Sequence, residues 1–201
     1  MSSFIETLIS QFGDDAIKLI GQQIGADSDQ TQGALSNVLP LIISALAKNT
    51  SDDEGAASLH NAVAKDHDGS ILNMLDQFIP NATTEGAGSG ILRHIFGDNR
   101  SMVEGLISQV SGLNGSSTAQ LMETVAPIIM GFLGREQKEQ NLDQNGLISL
   151  IQTADKETAD HAPEHVNSIV TYLLDSDKDG SIQDDLASMA MNFLGSYFTR
   201  K

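Results

Sequence analysis

The sequence contains no cysteine and no tryptophan, and only 4% of its 201 residues are aromatic. Without cysteine the chain has no disulfide framework, no thiolate metal site and no thiol nucleophile. Basic residues are also scarce, since 11 Lys and Arg stand against 27 Asp and Glu, for a formal net charge of -16. Phosphate backbones are bound by Lys and Arg that displace condensed counterions. We therefore expect neither nucleic acid nor an anionic membrane surface as a partner.

Long hydrophobic runs are absent as well. The two longest, 39–47 and 126–134, have about nine residues each, whereas a transmembrane helix needs about 20. The first residues include no basic region, so they do not match a secretory signal. We expect no transmembrane segment, a cytoplasmic location by default, and two buried core helices at the apolar runs.

Apolar residues recur at spacings of three and four along most of the chain, and no useful segment alternates with a period of two. This periodicity predicts an all-α fold, with about eleven mostly short helices. Ser51 and Glu54 match a capping box, and Ser70 is placed to cap a helix over 71–79. Gly97 is placed to end one helix and permit a sharp reversal into the next.

Part of the sequence returns 87 residues later, with 25–48 matching 112–135. Pro40 and Pro127 occupy matching positions, and a proline inside a helix removes a hydrogen bond and kinks it, so the match favours duplication over chance. Residues 66–71 return as 177–182, at an offset of 111. The other identical pairs at the first offset are Gly25 and Gly112, Thr31 and Thr118, Val38 and Val125, Ile42 and Ile129, and Leu46 and Leu133.

This repeat predicts a helical unit at 1–80, a linker at 81–90, and a second helical unit at 91–201 that carries an inserted segment and an Asp-rich loop. The linker is placed in the stretch that is rich in Thr, Gly, Ala and Ser and reads as the least helical. We expect the two units to pack as one globular body.

Three signatures occur in order: 25–27 before the helix at 39–43, then 64–70, then 90–97. With them the chain resembles the bacterial domain-of-unknown-function 937 family, and distantly the YidB-like proteins. The resemblance extends over nearly the whole chain, including the loop from Asp175 to Gly180. It implies an all-helical bacterial protein and no particular activity.

The Asp-rich loop is the sharpest candidate site. Asp175, Asp177 and Asp179 hold positions 1, 3 and 5 of a calcium loop, Gly180 permits the sharp turn, and the Ser181 carbonyl can be the next ligand. Alternate side chains of such a loop converge on one hard cation. The sequence therefore predicts a calcium site here.

Position 12 of this loop departs from the pattern, because Leu186 replaces the expected bidentate Glu. Asp184 or Asp185 would have to close the site. The alternative is an acidic turn in which Asp179 or Ser181 caps the last helix. The first copy has Ala64 at the first ligand position, so we interpret 66–70 as a degenerate loop that caps a helix.

Other motifs are weaker. His161 and His165 have the i, i+4 spacing of metal ligands, but Pro163 between them favours two solvated histidines at a helix start. The glycines of 86–90 lack the Lys of a phosphate loop. The apolar stripe of the final helix, with Met189 and Phe193, suits core packing or a partner surface.

Taken together, these features favour a non-enzymatic calcium-binding helical protein that acts through association with itself or another protein. A hydrolase of an extracytoplasmic polymer with structural calcium is the alternative, although no carboxylate pair is marked by the sequence as desolvated. A second alternative is an ion-free structural interaction protein. The sequence does not identify a small-molecule ligand.

Overall fold

A computed structural model of the chain describes residues 4–174, which are helical almost throughout and include no strand. The predicted all-α fold is confirmed. Eight helices have ten or more residues, namely α1 (Phe4–Ile24), α2 (Ser28–Asn49), α3 (Asp53–Asp66), α6 (Ala87–Phe96), α7 (Arg100–Ser111), α8 (Gly115–Gln140), α9 (Gln144–His161) and α10 (Glu164–Leu174). Two more, α4 (Leu75–Phe78) and α5 (Ala82–Glu85), are single turns, so the predicted count of about eleven is not confirmed.

The two longest helices carry the two apolar runs and form the centre of the molecule. Every residue of α2 from 38 to 46 is buried, and so is every residue of α8 from 124 to 134. A helix that is apolar on all sides must be surrounded by other elements. The prediction that both runs are buried core helices is therefore confirmed.

The remaining helices surround this pair. α2 packs against α1, α7, α9 and α10, while α8 packs against α1, α3, α6 and α7. One hydrophobic core cluster includes residues from Leu8 to Ile169. Helices from both ends of the chain therefore share a single core.

Two glycines with a positive φ interrupt helical stretches of the chain. Gly13 breaks α1 with a φ of 57°, and Gly97 ends α6 with a φ of 53° before α7 begins at Arg100. The predicted end of a helix at Gly97 is confirmed. The Arg100 guanidinium then joins α7 to its neighbours, because it lies 2.5 Å from a Glu123 carboxylate oxygen of α8 and 2.7 Å from the Ser89 hydroxyl of α6.

Two predicted caps are wrong. α3 is capped by Asp52, whose carboxylate accepts the Gly55 N–H at 2.8 Å, and not by Ser51. Ser70 does not begin a helix over 71–79, because it starts a 3-10 turn (Ser70–Asn73) and the chain leaves helical geometry at Met74, where φ is -140°.

The stretch expected to be the least helical is mostly helix. α5 and α6 lie on either side of Gly86, which is left-handed with a φ of 71°. Gly88 sits in the first turn of α6, where a Cβ atom would lie 1.8 Å from the Glu123 carbonyl oxygen of α8. Close helix packing outweighs the low helix propensity of glycine here.

Candidate functional site

The predicted calcium ligands lie outside the described residues. They are Asp175, Asp177, Asp179, Ser181, Asp184 and Asp185. The apolar stripe that includes Met189 and Phe193 also lies outside them. The structure does describe the segment of similar sequence at 66–71.

The loop at 66–71, which we call the first loop, joins α3 to the 3-10 turn. Gly69 is left-handed, with a φ of 90°, and a residue with a side chain would be strained there. An Asp68 carboxylate oxygen accepts the Ser70 backbone N–H at 3.0 Å. The Ser70 hydroxyl and this N–H stabilise the carboxylate and lower the pKa of Asp68 below its ordinary value.

The first loop lies directly against α8. A Cβ atom on Gly134 would lie 1.6 Å from the His67 carbonyl oxygen, and one on Gly131 would lie 2.4 Å from the Ile71 Cγ2 atom. Gly69 in turn lies close to Arg135, whose Cβ would be 2.8 Å from a Cβ added there. These glycines let two backbone segments approach more closely than any other residue would permit.

A second surface of interest is a cavity of about 350 Å³ beside α2, which we call the α2 groove. Part of its lining is apolar, from Leu41, Ile95, Phe96 and Val170, and the rest is mostly polar and includes Asn49 and Asp52. Ser44 and Lys48 of α2 line it from the side that corresponds, at the offset of 87, to Gly131 and Arg135 of α8. Another cavity, of about 480 Å³, lies beside the first loop and is bounded in part by Met74 and Pro127.

Side chains of α9 and α10 fix both helices on α2. The Ser44 hydroxyl donates a hydrogen bond to the Asp155 carboxylate of α9. Nearer the N-terminus of α2, the Asn37 amide oxygen lies 2.8 Å from His165 Nε2 of α10. These contacts place the end of α10 next to the α2 groove.

The two spaced histidines do not form a pair on one helix. His161 is the last residue of α9, and His165 is in α10 beyond Pro163. The expectation of a solvated histidine is wrong for His165, because it is partly buried against α2 and this burial lowers its pKa. Burial also lowers the pKa of His67 in the first loop, although the charge of Asp66 opposes the effect. Sequence periodicity does not predict the burial of His67 or His165, because each of them contacts a part of the chain that is distant in sequence.

Among residues 4–174, no three His, Asp or Glu side chains are grouped closely enough to hold a metal ion. In the same part of the chain, no helix is both long and apolar enough to span a bilayer.

Comparison with protein families matches residues 6–136 to a bacterial protein family of unknown function, DUF937. No curated protein and no solved structure matches the chain. The matched residues run from α1 through most of α8 and include the first loop, but they end before the Asp-rich loop at 175–182. The match therefore does not support the predicted extension of the resemblance to that loop. Since it covers more than half of the chain, the protein belongs to the DUF937 family of bacterial proteins.

Proposed function

We propose that the protein is a non-enzymatic calcium-binding helical protein that acts through association with itself or with another protein. We also propose that it is built from two copies of one helical unit. The observation that carries the proposal is the folding of the first loop. Its Asp-x-Asp-Gly-Ser-Ile relative at 177–182 has the same turn residues and is flanked by Asp175, Asp184 and Asp185.

Matched helix caps support the duplication. Asp27 caps α2 and Asn114 caps α8, each by accepting the backbone N–H three residues later, at 2.8 Å and 2.9 Å. Thr31 and Thr118 are both fully buried, and each donates its hydroxyl to the carbonyl of the capping residue. Every one of these pairs has the offset of 87 that the sequence repeat has.

The prolines and the preceding turns support it as well. Pro40 and Pro127 each lie twelve residues after the first residue of their helix. Gly25 and Gly112, which precede the two caps, are both left-handed, with φ of 71° and 73°. The duplication predicts that Asp27→Ala and Asn114→Ala each lower the free energy of unfolding by about 1 kcal/mol. Clearly unequal losses would argue against equivalent roles.

The proposed calcium site assumes that residues 177–182 adopt the same turn as the first loop. A left-handed glycine at 180 would bring Asp175, Asp177 and Asp179 to one side, together with the Ser181 carbonyl. Asp184 or Asp185 would complete the ligand set. Three or four carboxylates repel one another, and a divalent cation relieves that repulsion in a chain of net charge -16.

Calcium titration of the full chain tests this site. Without a Glu at position 12 we expect a dissociation constant on the order of 10⁻⁵ to 10⁻³ M, with magnesium competing poorly because it demands a stricter octahedral geometry. Calcium at about a hundredfold excess should raise the free energy of unfolding by roughly 2.7 kcal/mol if the unfolded chain does not bind it.

The chain offers a matched pair of variants for this titration. Asp177→Asn removes a proposed ligand and should abolish most of the calcium-dependent stabilisation. Asp66→Asn, at the corresponding position of the first loop, and Asp68→Asn should leave it nearly intact. Unchanged melting of the parent protein in millimolar calcium would refute the calcium proposal.

Association is tested separately, by light scattering at several protein concentrations with and without calcium. Neutralising part of the negative charge should favour association, and salt should act in the same direction. A monomer under every condition would refute the self-association part of the proposal and leave another protein as the partner.

One observation favours an ion-free interaction protein as a second candidate. The first loop is held by protein contacts, through the Ser70 bond to Asp68 and the packing of His67 on Gly134. If the second loop is held in the same way, its acids cap a helix. In that case Asp177→Asn would leave both melting and calcium response unchanged.

A further inference from the structure

We propose that residues 175–201 dock on α2 within the same molecule, with the loop at 177–182 seated at the α2 groove. This inference rests on the proposed duplication and is independent of calcium binding. Its occupant is the chain's own C-terminal segment, and three separate features of the described residues point to it.

The first feature is the position of the groove. The first loop docks on α8 at Gly131, Gly134 and Arg135. At the offset of 87, these positions correspond to 44, 47 and 48 of α2. Ser44 and Lys48 line the α2 groove. The cavity therefore lies where the second copy of the loop would pack.

The second feature is the place where the described chain ends. Val170 of α10 lines the α2 groove, and α10 continues for one more turn to residue 174. One turn of helix advances about 5.4 Å. The two residues 175 and 176 can span about 7 Å when extended. The loop at 177–182 therefore begins within reach of the groove, and no long excursion of the chain is needed.

The third feature is the chemistry of the groove. Its apolar walls, formed by Leu41, Ile95 and Phe96, suit Ile182, which corresponds to the Ile71 that packs on Gly131. Lys48 and Asp52 both line the groove and place one charge of each sign there, so we expect Asp177 and Asp179 to lie on the Lys48 side.

The two docking faces also differ in a way that sets the depth of docking. α8 has Gly134 where α2 has Ala47, and a Cβ at Gly134 would collide with the loop backbone. The second loop must therefore lie farther from its helix than the first loop does.

Paired cysteines test the docking in the full-length protein. Because the chain has no cysteine, two introduced thiols can react only with each other within a molecule. A disulfide needs Cα atoms about 4.4 to 6.8 Å apart. The test pair is Ser44→Cys with Ile182→Cys, and the second test pair, Lys48→Cys with Ser181→Cys, keeps the Ser44 bond to Asp155 intact.

The same chain supplies the controls. Ile71→Cys with Gly131→Cys reports the described contact between the first loop and α8. Ser36→Cys with Ile182→Cys is the negative control, since Ser36 is an exposed residue of α2 about two turns before Ser44. We expect the test pairs to form an intramolecular disulfide about tenfold faster than the negative control, because docked thiols have a raised effective concentration.

The outcomes are distinct. No intramolecular disulfide in either test pair, when the reference pair forms one, would overturn the docking proposal. A disulfide-linked dimer would also overturn it, because the groove would then receive a second copy of the chain. Calorimetric titration of the same oxidised and reduced variants reports calcium binding independently. A cross-link without calcium binding refutes only the calcium part of the proposed function, and calcium binding without a cross-link refutes only the docking.

Discussion

The corresponding faces of α8 and α2 are covered in different ways. On α8, Gly131 and Gly134 permit direct contact with the backbone and side chains of the first loop. On α2, Ser44 instead bonds to Asp155 of α9, and a cavity of about 350 Å³ lies alongside. Both helices have the same buried apolar run around a proline. A few small residues, and not the apolar pattern, therefore decide what packs on each face.

The difference also concerns the kind of contact. The α8 face depends on steric fit, in which an added methyl group has no space. The α2 face depends on two hydrogen bonds with side chains from beyond residue 150: Ser44 donates to Asp155, and the Asn37 amide oxygen accepts from His165. Steric and polar contacts respond differently to substitution, so the two faces can be tested separately.

The largest expected effect is that of Gly134→Ala. The new Cβ would lie 1.6 Å from the His67 carbonyl oxygen, so α8 or the loop backbone must move. We expect the free energy of unfolding to fall by about 3 kcal/mol, at the upper end for overpacking. Urea denaturation measures it.

The matched control for that substitution is Ala47→Gly on α2. It should cost only about 1 kcal/mol, because it lowers helix propensity without forcing a backbone contact. If Gly134→Ala cost less than its control, the first loop would not be in direct contact with α8.

A smaller effect is expected from Ser44→Ala, which removes the hydroxyl bonded to Asp155. Hydrogen bonds to charged groups contribute about 1.5 to 3 kcal/mol, so we expect a loss of about 2 kcal/mol. Ser36→Ala is the control, since its exposed hydroxyl bonds only to the Gln32 carbonyl of its own helix. Equal effects at the two serines would mean that α9 is not held through Ser44.

Acidification should weaken both faces, through His67 on the α8 side and His165 on the α2 side. Burial lowers both pKa values, so the unfolded chain takes up these protons first as the pH falls. The stabilising contribution is complete above the ordinary histidine pKa, declines as the pH falls toward the folded values, and then levels off. Denaturation between about pH 8 and 5 measures the slope.

His67→Gln and His165→Gln should each flatten that slope, since glutamine does not titrate. Comparing each variant with the parent at the same pH isolates the histidine from the many carboxylates. A variant whose slope equals that of the parent would mean that the histidine is as solvated in the folded protein as in the unfolded chain.

Much of the fold was predictable because it depends on local pattern. The apolar runs at 39–47 and 126–134 place both core helices, and Gly97 places the end of α6. The cap of α3 was misplaced by one residue, because Ser51 and Asp52 are both good capping residues and their side chains compete for the same N–H groups. Local sequence does not decide between such neighbours.

The candidate site was less predictable, because its contacts join distant segments. The contact of His67 with Gly134 joins residues far apart in the chain, and so do the bond that Ser44 donates to Asp155 and the bond that the Asn37 amide oxygen accepts from His165. For the contact of the first loop with α8, the one sequence signal is the pair of glycines at 131 and 134 within an otherwise apolar helix. Glycine inside a buried helix often marks a close approach of another backbone.

The smallest expected effect is a change in the titration of Asp68 on Ser70→Ala. The hydroxyl and the N–H of Ser70 both lower the pKa of Asp68, so losing the hydroxyl should raise that pKa part of the way toward its ordinary value. A lowered carboxyl pKa stabilises the fold above the unfolded value, and this contribution is lost as the pH falls through the folded value. Carboxyl titration by NMR measures the change directly, and Ser181→Ala in the second loop is the control that should leave Asp68 unaffected.

Calcium sharpens the test, because it should leave the titration of Asp68 unchanged if the first loop only stabilises a turn. A calcium-dependent shift at Asp68 would mean that both loops bind the ion, and the contrast between the two faces would then lie in their packing alone.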